Sequence, residues 1–119
     1  MDIFNLDGTF NRRFASNGVL NAPWGVAKAG ASFGEFSNDI LIANFGDGTI
    51  NAYNPTTGAV EGRIKNTAGE AILIPGLRGI TFGAPGTPEA SKLYFTAGVT
   101  GQPSLIGTIT VAPVRLVVE

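Results

Sequence analysis

Along the chain, short runs of alternating or continuous apolar residues stop repeatedly at Gly, Asn, Asp or Pro, the pattern of β-strands closed by turns. Asp2-Ile3-Phe4-Asn5-Leu6 alternates, Asp7-Gly8 reads as a tight type I′ hairpin turn, and Thr9 to Phe14 is the returning strand. Further strands are predicted over 23–29, 38–44, 48–54 and 59–65, and again over 77–83, 91–97 and 105–111. Ile40-Leu41-Ile42-Ala43 is apolar without alternation, which predicts a strand covered on both faces. Pro113 interrupts the last run, and 114–118 reads as a final strand or as an unstructured end. No segment keeps a 3.6-residue period over ten positions, so the predicted fold class is all-β.

The strands repeat. Ile3 to Phe10 matches Ala52 to Val60 at an offset of 49 to 50, and Trp24-Gly25-Val26 matches Arg78-Gly79-Ile80 at 54. Ile40 to Ala43 matches Leu93 to Thr96 at 53, and Gly48 to Asn51 matches Gly107 to Thr110 at 59. Four short antiparallel strands recurring every ~40 to 50 residues is the signature of a β-propeller blade. The expected organisation is one propeller fragment over 1–119: an outer half-blade (2–14), a full blade (23–65) and a further blade (77–111), with 114–118 as a candidate tail strand. That amounts to about two to two and a half blades, whereas a ring needs roughly four to eight. The chain is therefore expected to complete a ring by self-association, or to be a piece of a longer protein. A two-sheet sandwich that buries the same faces internally is the rival architecture.

Composition narrows the chemistry. Seventeen glycines and seven prolines among 119 residues suit many turns and no long helix. Eight basic and nine acidic side chains leave a net charge of −1, so no nucleic-acid partner is expected. The absence of Cys and His removes thiol nucleophiles, imidazole bases, Ser-His-Asp triads and the usual zinc sites. No cofactor is implied. Met1-Asp2-Ile3-Phe4-Asn5 has neither the basic nor the apolar region of a secretory leader, and no apolar run is long enough to suggest a membrane partner.

Candidate binding residues lie at one predicted rim. Trp24 and Arg78 occupy equivalent repeat positions at the start of the innermost strands, where Trp can stack on a sugar or base and Arg can grip a carboxylate or phosphate. Asn44 and Asp47 flank the Asn44-Phe45-Gly46-Asp47-Gly48 turn, which has too few oxygens and the wrong spacing for a calcium loop. No metal site is therefore assigned. The expected role is a structural or binding scaffold, with a small molecule at the channel rim. The alternative is a propeller-type hydrolase or lyase that uses Glu35, Asp39 and Asp47 as carboxylates with a divalent metal. Arg12-Arg13 reads as a solvated strand edge.

Leu20 to Ala27, Ala31 to Ser37, Asn44 to Tyr53 and Leu93 to Gly98 together resemble the C-terminal part of an uncharacterised bacterial family related to NHL-type propellers. The resemblance covers about residues 2 to 111. It implies a propeller of about six blades, often extracytoplasmic, and carries over no catalytic residue. Arg78 stands where that family tends to carry Trp, and the segment from Ala112 onward falls outside the resemblance.

Overall fold

The computed structural model describes residues 1–112; the predicted tail strand at 114–118 lies outside the described residues. Among the described residues, nine strands form three antiparallel sheets joined by turns. The first is a hairpin of β1 (Asp2–Phe4) and β2 (Phe10–Arg13). The second is a four-stranded meander of β3 (Pro23–Lys28), β4 (Ile40–Asn44), β5 (Ile50–Tyr53) and β6 (Val60–Arg63). The third contains β7 (Leu77–Phe82), β8 (Leu93–Ala97) and β9 (Leu105–Ile109). Two single-turn 3-10 segments, Gly34–Phe36 and Pro88–Ser91, are the only helical elements among the described residues. The all-β expectation holds, and neither a closed ring nor a closed barrel forms among the described residues.

Strand register shows how closely the sheets repeat. Pro23 pairs with Asn44 and Val26 with Ile42, while Leu77 pairs with Ala97 and Ile80 with Phe95. β3 thus corresponds to β7 at an offset of 54 and β4 to β8 at 53, as the sequence matches propose. Each inner strand also carries an irregularity at the same place, between Pro23 and Gly25 and between Leu77 and Ile80. The hairpin repeats the outer half of the second sheet in the same way. Ile3 pairs with Arg12 and Phe4 with Phe10, as Ala52 pairs with Gly62 and Tyr53 with Val60, with a bulge before Phe4 and before Tyr53. Those offsets are 49 and 50.

Two details differ from the sequence reading. Ile50 pairs with Ala43, and its counterpart opposite Thr96 is Ile106, so β5 corresponds to β9 at an offset of 56 and not 59. The connection from β8 to β9 is longer than that from β4 to β5, and matching Gly-Thr strings placed the offset three residues too far. The β1–β2 turn is also not type I′, because Asp7 is not among the residues with positive φ. Asn5 N–H donates to Thr9 O while Gly8 N–H donates to Asn5 O, giving a three-residue loop with glycine at the left-handed position.

The second and third sheets pack face to face on one core, in which Leu41, Ile50, Leu77 and Leu93 are at most 1% exposed. Burying a side chain of this size contributes about 1.5–3 kcal/mol. The innermost strands β3 and β7 come closest, and β4 also approaches β7. Small residues line this approach, including Gly25, Ala27, Ala43 and Ala97. Larger groups fill the space farther out: Phe33 meets the edge of Phe82 with ring centroids 5.0 Å apart, and Phe36 packs over Gly62. The result is a wedge, narrow at the inner strands and wide outside. Ile42 and Tyr53, on the opposite face of the second sheet, are also at most 1% exposed, so β4 is covered on both sides as predicted, whereas Val26 of β3, beside Ile42, is 48% exposed.

Gly25 sets the spacing at the narrow end. A methyl group on its Cα would lie 2.5 Å from the Arg78 carbonyl oxygen and 2.9 Å from the Ile80 nitrogen, both backbone atoms that cannot swing aside. Gly25→Ala is expected to destabilise the fold by about 3 kcal/mol through this overpacking. Gly30→Ala, in open space, should change stability by less than about 0.5 kcal/mol. Urea-unfolding midpoints of the two variants would decide; equal midpoints would refute the close approach.

Candidate functional site

The four predicted site residues separate into two groups with different work. Trp24 and Arg78 sit at the irregular positions of β3 and β7, where a bulge turns a side chain away from the regular alternation. Phe45, from the turn after β4, completes a cluster with them. Its ring centroid is 5.9 Å from that of Trp24, and the Arg78 guanidinium carbon lies 5.6 Å from the Trp24 centroid and 5.1 Å from the Phe45 centroid. A cation over two aromatic faces is held by their quadrupoles, and Arg78 Nη1 also donates to Gly98 O at 3.0 Å. Trp24 remains 62% exposed and Phe45 39%, so the cluster presents an aromatic surface next to a positive charge.

Asn44 does something else. It is fully buried, and its amide is occupied inside the fold: Oδ1 accepts from Asn21 N–H at 3.1 Å, while Nδ2 donates to Val19 O at 2.8 Å and to Thr49 Oγ1 at 3.3 Å. Backbone bonds extend this clamp, from Phe45 N–H to Ala22 O and from Gly46 N–H to Asn21 O. Ala22 is held with a φ of 48°, an uncommon value for a residue with a side chain, directly before the strand that carries Trp24. Asn44 therefore positions both Trp24 and Phe45. The sequence showed it as a local turn residue, because the bonds that matter reach more than twenty positions back along the chain.

Asp47 is exposed, and its Oδ1 accepts from the Thr49 amide at 3.1 Å and the Thr49 hydroxyl at 2.7 Å. The same Asp-Gly-Thr clamp recurs at Asp7 and Thr9. Thr49 links onward: Asn51 Nδ2 donates to its hydroxyl, and Arg63 Nε donates to Asn51 Oδ1. Partial burial acts to raise the Asp47 pKa, but the Thr49 hydrogen bonds and the Arg63 charge outweigh it and hold the carboxyl below its ordinary range. Asp39 moves the other way, raised by burial and by Glu61 against the opposing pull of Lys28. Among the described residues, no three acidic side chains gather to hold a metal ion. Arg12 and Arg13 lie exposed on the edge strand β2, as read, and Arg12 Nη2 also donates to Pro55 O at 3.1 Å, tying the hairpin to the β5–β6 turn.

A carboxyl whose folded pKa is depressed stabilises the fold above its unfolded pKa, and loses that contribution as pH falls through the folded value. Asp47→Asn is therefore expected to be less stable than the parent at neutral pH. The gap should narrow as pH drops below the ordinary carboxylate range, and urea unfolding across that interval would measure it. A gap independent of pH would contradict the role of the charge.

No protein-family model matches the chain, and no solved structure matches it significantly. It is similar to three uncharacterized proteins of Acanthamoeba polyphaga mimivirus. R648 is 42% identical over 110 residues, 92% of this chain; L690 is 41% identical over 97 residues, 82% of this chain; R640 is 39% identical over 109 residues, 92% of this chain. The matches cover 26%, 25% and 20% of those proteins, so the chain spans about a quarter of the length of the curated relatives it matches. These relatives are viral and not bacterial, which corrects the resemblance to a bacterial NHL-related family. The extracytoplasmic expectation rested on that resemblance alone.

Proposed function

We propose that this chain is a ring-building binding scaffold whose three sheets are successive blades, the first and third of them partial, of a β-propeller completed by further units of the same kind. The single observation that carries this reading is the shared register, in which β3 and β4 correspond to β7 and β8, and β1 and β2 to β5 and β6, each with its irregularity in the same place. Independent sheets of a sandwich have no reason to share pairing and bulges. The wedge between the second and third sheets supports the same reading, because wedges add around an axis whereas flat layers stack. In this arrangement the inner strands line a channel. Trp24, Phe45 and Arg78 then lie at one rim, where they form an aromatic and cationic surface for a small planar or anionic group.

Self-association supplies the missing sheets. With a little over two blades per chain and roughly four to eight blades in a ring, two or three copies are expected. Native mass spectrometry or light scattering over a range of concentrations tests this. Defined assemblies of that size are the expected result, and a monomer at every concentration would overturn the proposal.

A further inference from the structure

We infer that copies join head to tail, the outward face of the β7–β8–β9 sheet of one copy receiving the Phe4–Phe10 face of the β1–β2 hairpin of the next. This inference rests on the ring reading above and adds the surfaces that meet. Two junctions of this stacking pattern are already formed within the chain. At the first, Phe14 from the hairpin segment meets the edge of Tyr53, with ring centroids 6.1 Å apart. At the second, Ile64, the counterpart of Phe14, belongs to the core against which Ile109, the counterpart of Tyr53, is packed. The same pair of positions thus serves both junctions.

The pattern is left open at its two ends. Phe4 is the hairpin counterpart of Tyr53, yet it is 59% exposed where Tyr53 is 1% exposed. Phe10 stacks edge-on against it at 5.9 Å and is 58% exposed. At the other end, Ile106 is the counterpart of Ile50, and it is 74% exposed where Ile50 is 1% exposed. One end offers an uncovered following face and the other an uncovered preceding face. A contact between two different surfaces is heterologous, the kind that closes into a ring when its rotation closes and otherwise extends into a filament.

The chemistry of the open face grades the strength of the contact. The covered face of the second sheet presents Leu41, Ala43, Ile50 and Ala52; the corresponding positions of the third sheet hold Tyr94, Thr96, Ile106 and Thr108. Three of the four gain a hydroxyl and can face water. The junction between copies is therefore weaker than the one within the chain, and its occupancy depends on concentration.

The parent chain has no cysteine, which makes disulfide trapping clean. Phe4→Cys and Ile106→Cys chains, mixed under oxidising conditions, are expected to form the mixed disulfide, while neither variant alone cross-links to itself. Ile106→Asp, a surface change that leaves the β-sheet circular dichroism intact, should reduce the native mass to that of one chain. If the parent associates but the mixed disulfide is missing and Ile106→Asp still associates, the head-to-tail surfaces are wrong while the ring reading survives. A disulfide between two Phe4→Cys chains would show a symmetric contact and overturn the inference. A monomeric parent would overturn both, leaving the additional length seen in the relatives as the source of the covering sheets.

Discussion

The fold depends on two backbones lying almost against each other. β3 and β7 approach so closely at Gly25 that a single methyl group would strike the carbonyl of Arg78. That contact fixes the narrow end of the wedge between the second and third sheets. The aromatic filling at Phe33, Phe36 and Phe82 then sets how far the outer strands diverge. Interiors pack at crystal-like density, so the grading from small to large side chains determines the angle between the sheets. A sheet held at an angle to its neighbour leaves its far face to be covered by something else. The middle strands of the second sheet, β4 and β5, have cover on both sides; the third sheet has it on one.

The same contact places the site. Because β3 and β7 touch, the residues at their irregular positions fall within reach of one another, and Arg78 of one sheet comes to lie over Trp24 and Phe45 of the other. Asn44 fixes the two aromatics through bonds to Val19, Asn21 and Thr49. In the proposed ring, a cluster assembled across a junction of this kind would recur, with changed residues, at each repeat of the junction. Each sheet of a ring would contribute one such position, and their differing identities would give the rim its chemistry.

Much of this was legible in the sequence, for physical reasons. Strands as short as these end where glycine, asparagine and proline permit reversal, so their number and order could be read from the turns. The offsets of 54, 53 and 49 to 50 were also readable, because pairing register depends on which residues alternate between faces. The offset between β5 and β9 was missed because Gly-Thr-Ile recurs as ordinary turn-and-strand chemistry, and the longer β8–β9 connection shifts the true counterpart to Ile106. The bacterial resemblance failed for a related reason. Trp24-Gly25-Val26 and Asp47-Gly48-Thr49, within the segments that carried it, meet the demands of a bulge and a turn, so they speak for local geometry and not for a family. At the site, Trp24 and Arg78 could be paired by repeat position, whereas Phe45 and the clamping role of Asn44 needed three-dimensional contacts. A signal for Phe45 did exist: an aromatic residue directly after the strand, in an otherwise polar turn.

The close approach of the inner strands can be observed directly. In an isotope-labelled sample, a strong nuclear Overhauser effect is expected between the Gly25 α-protons and the Ile80 amide proton, together with contacts from Ile80 to the flanking residues of β3. Finding those cross-peaks would confirm the wedge at its narrow end. Finding none, with β3 and β7 each showing contacts only within its own sheet, would contradict the stacking on which the candidate site and the ring both rely.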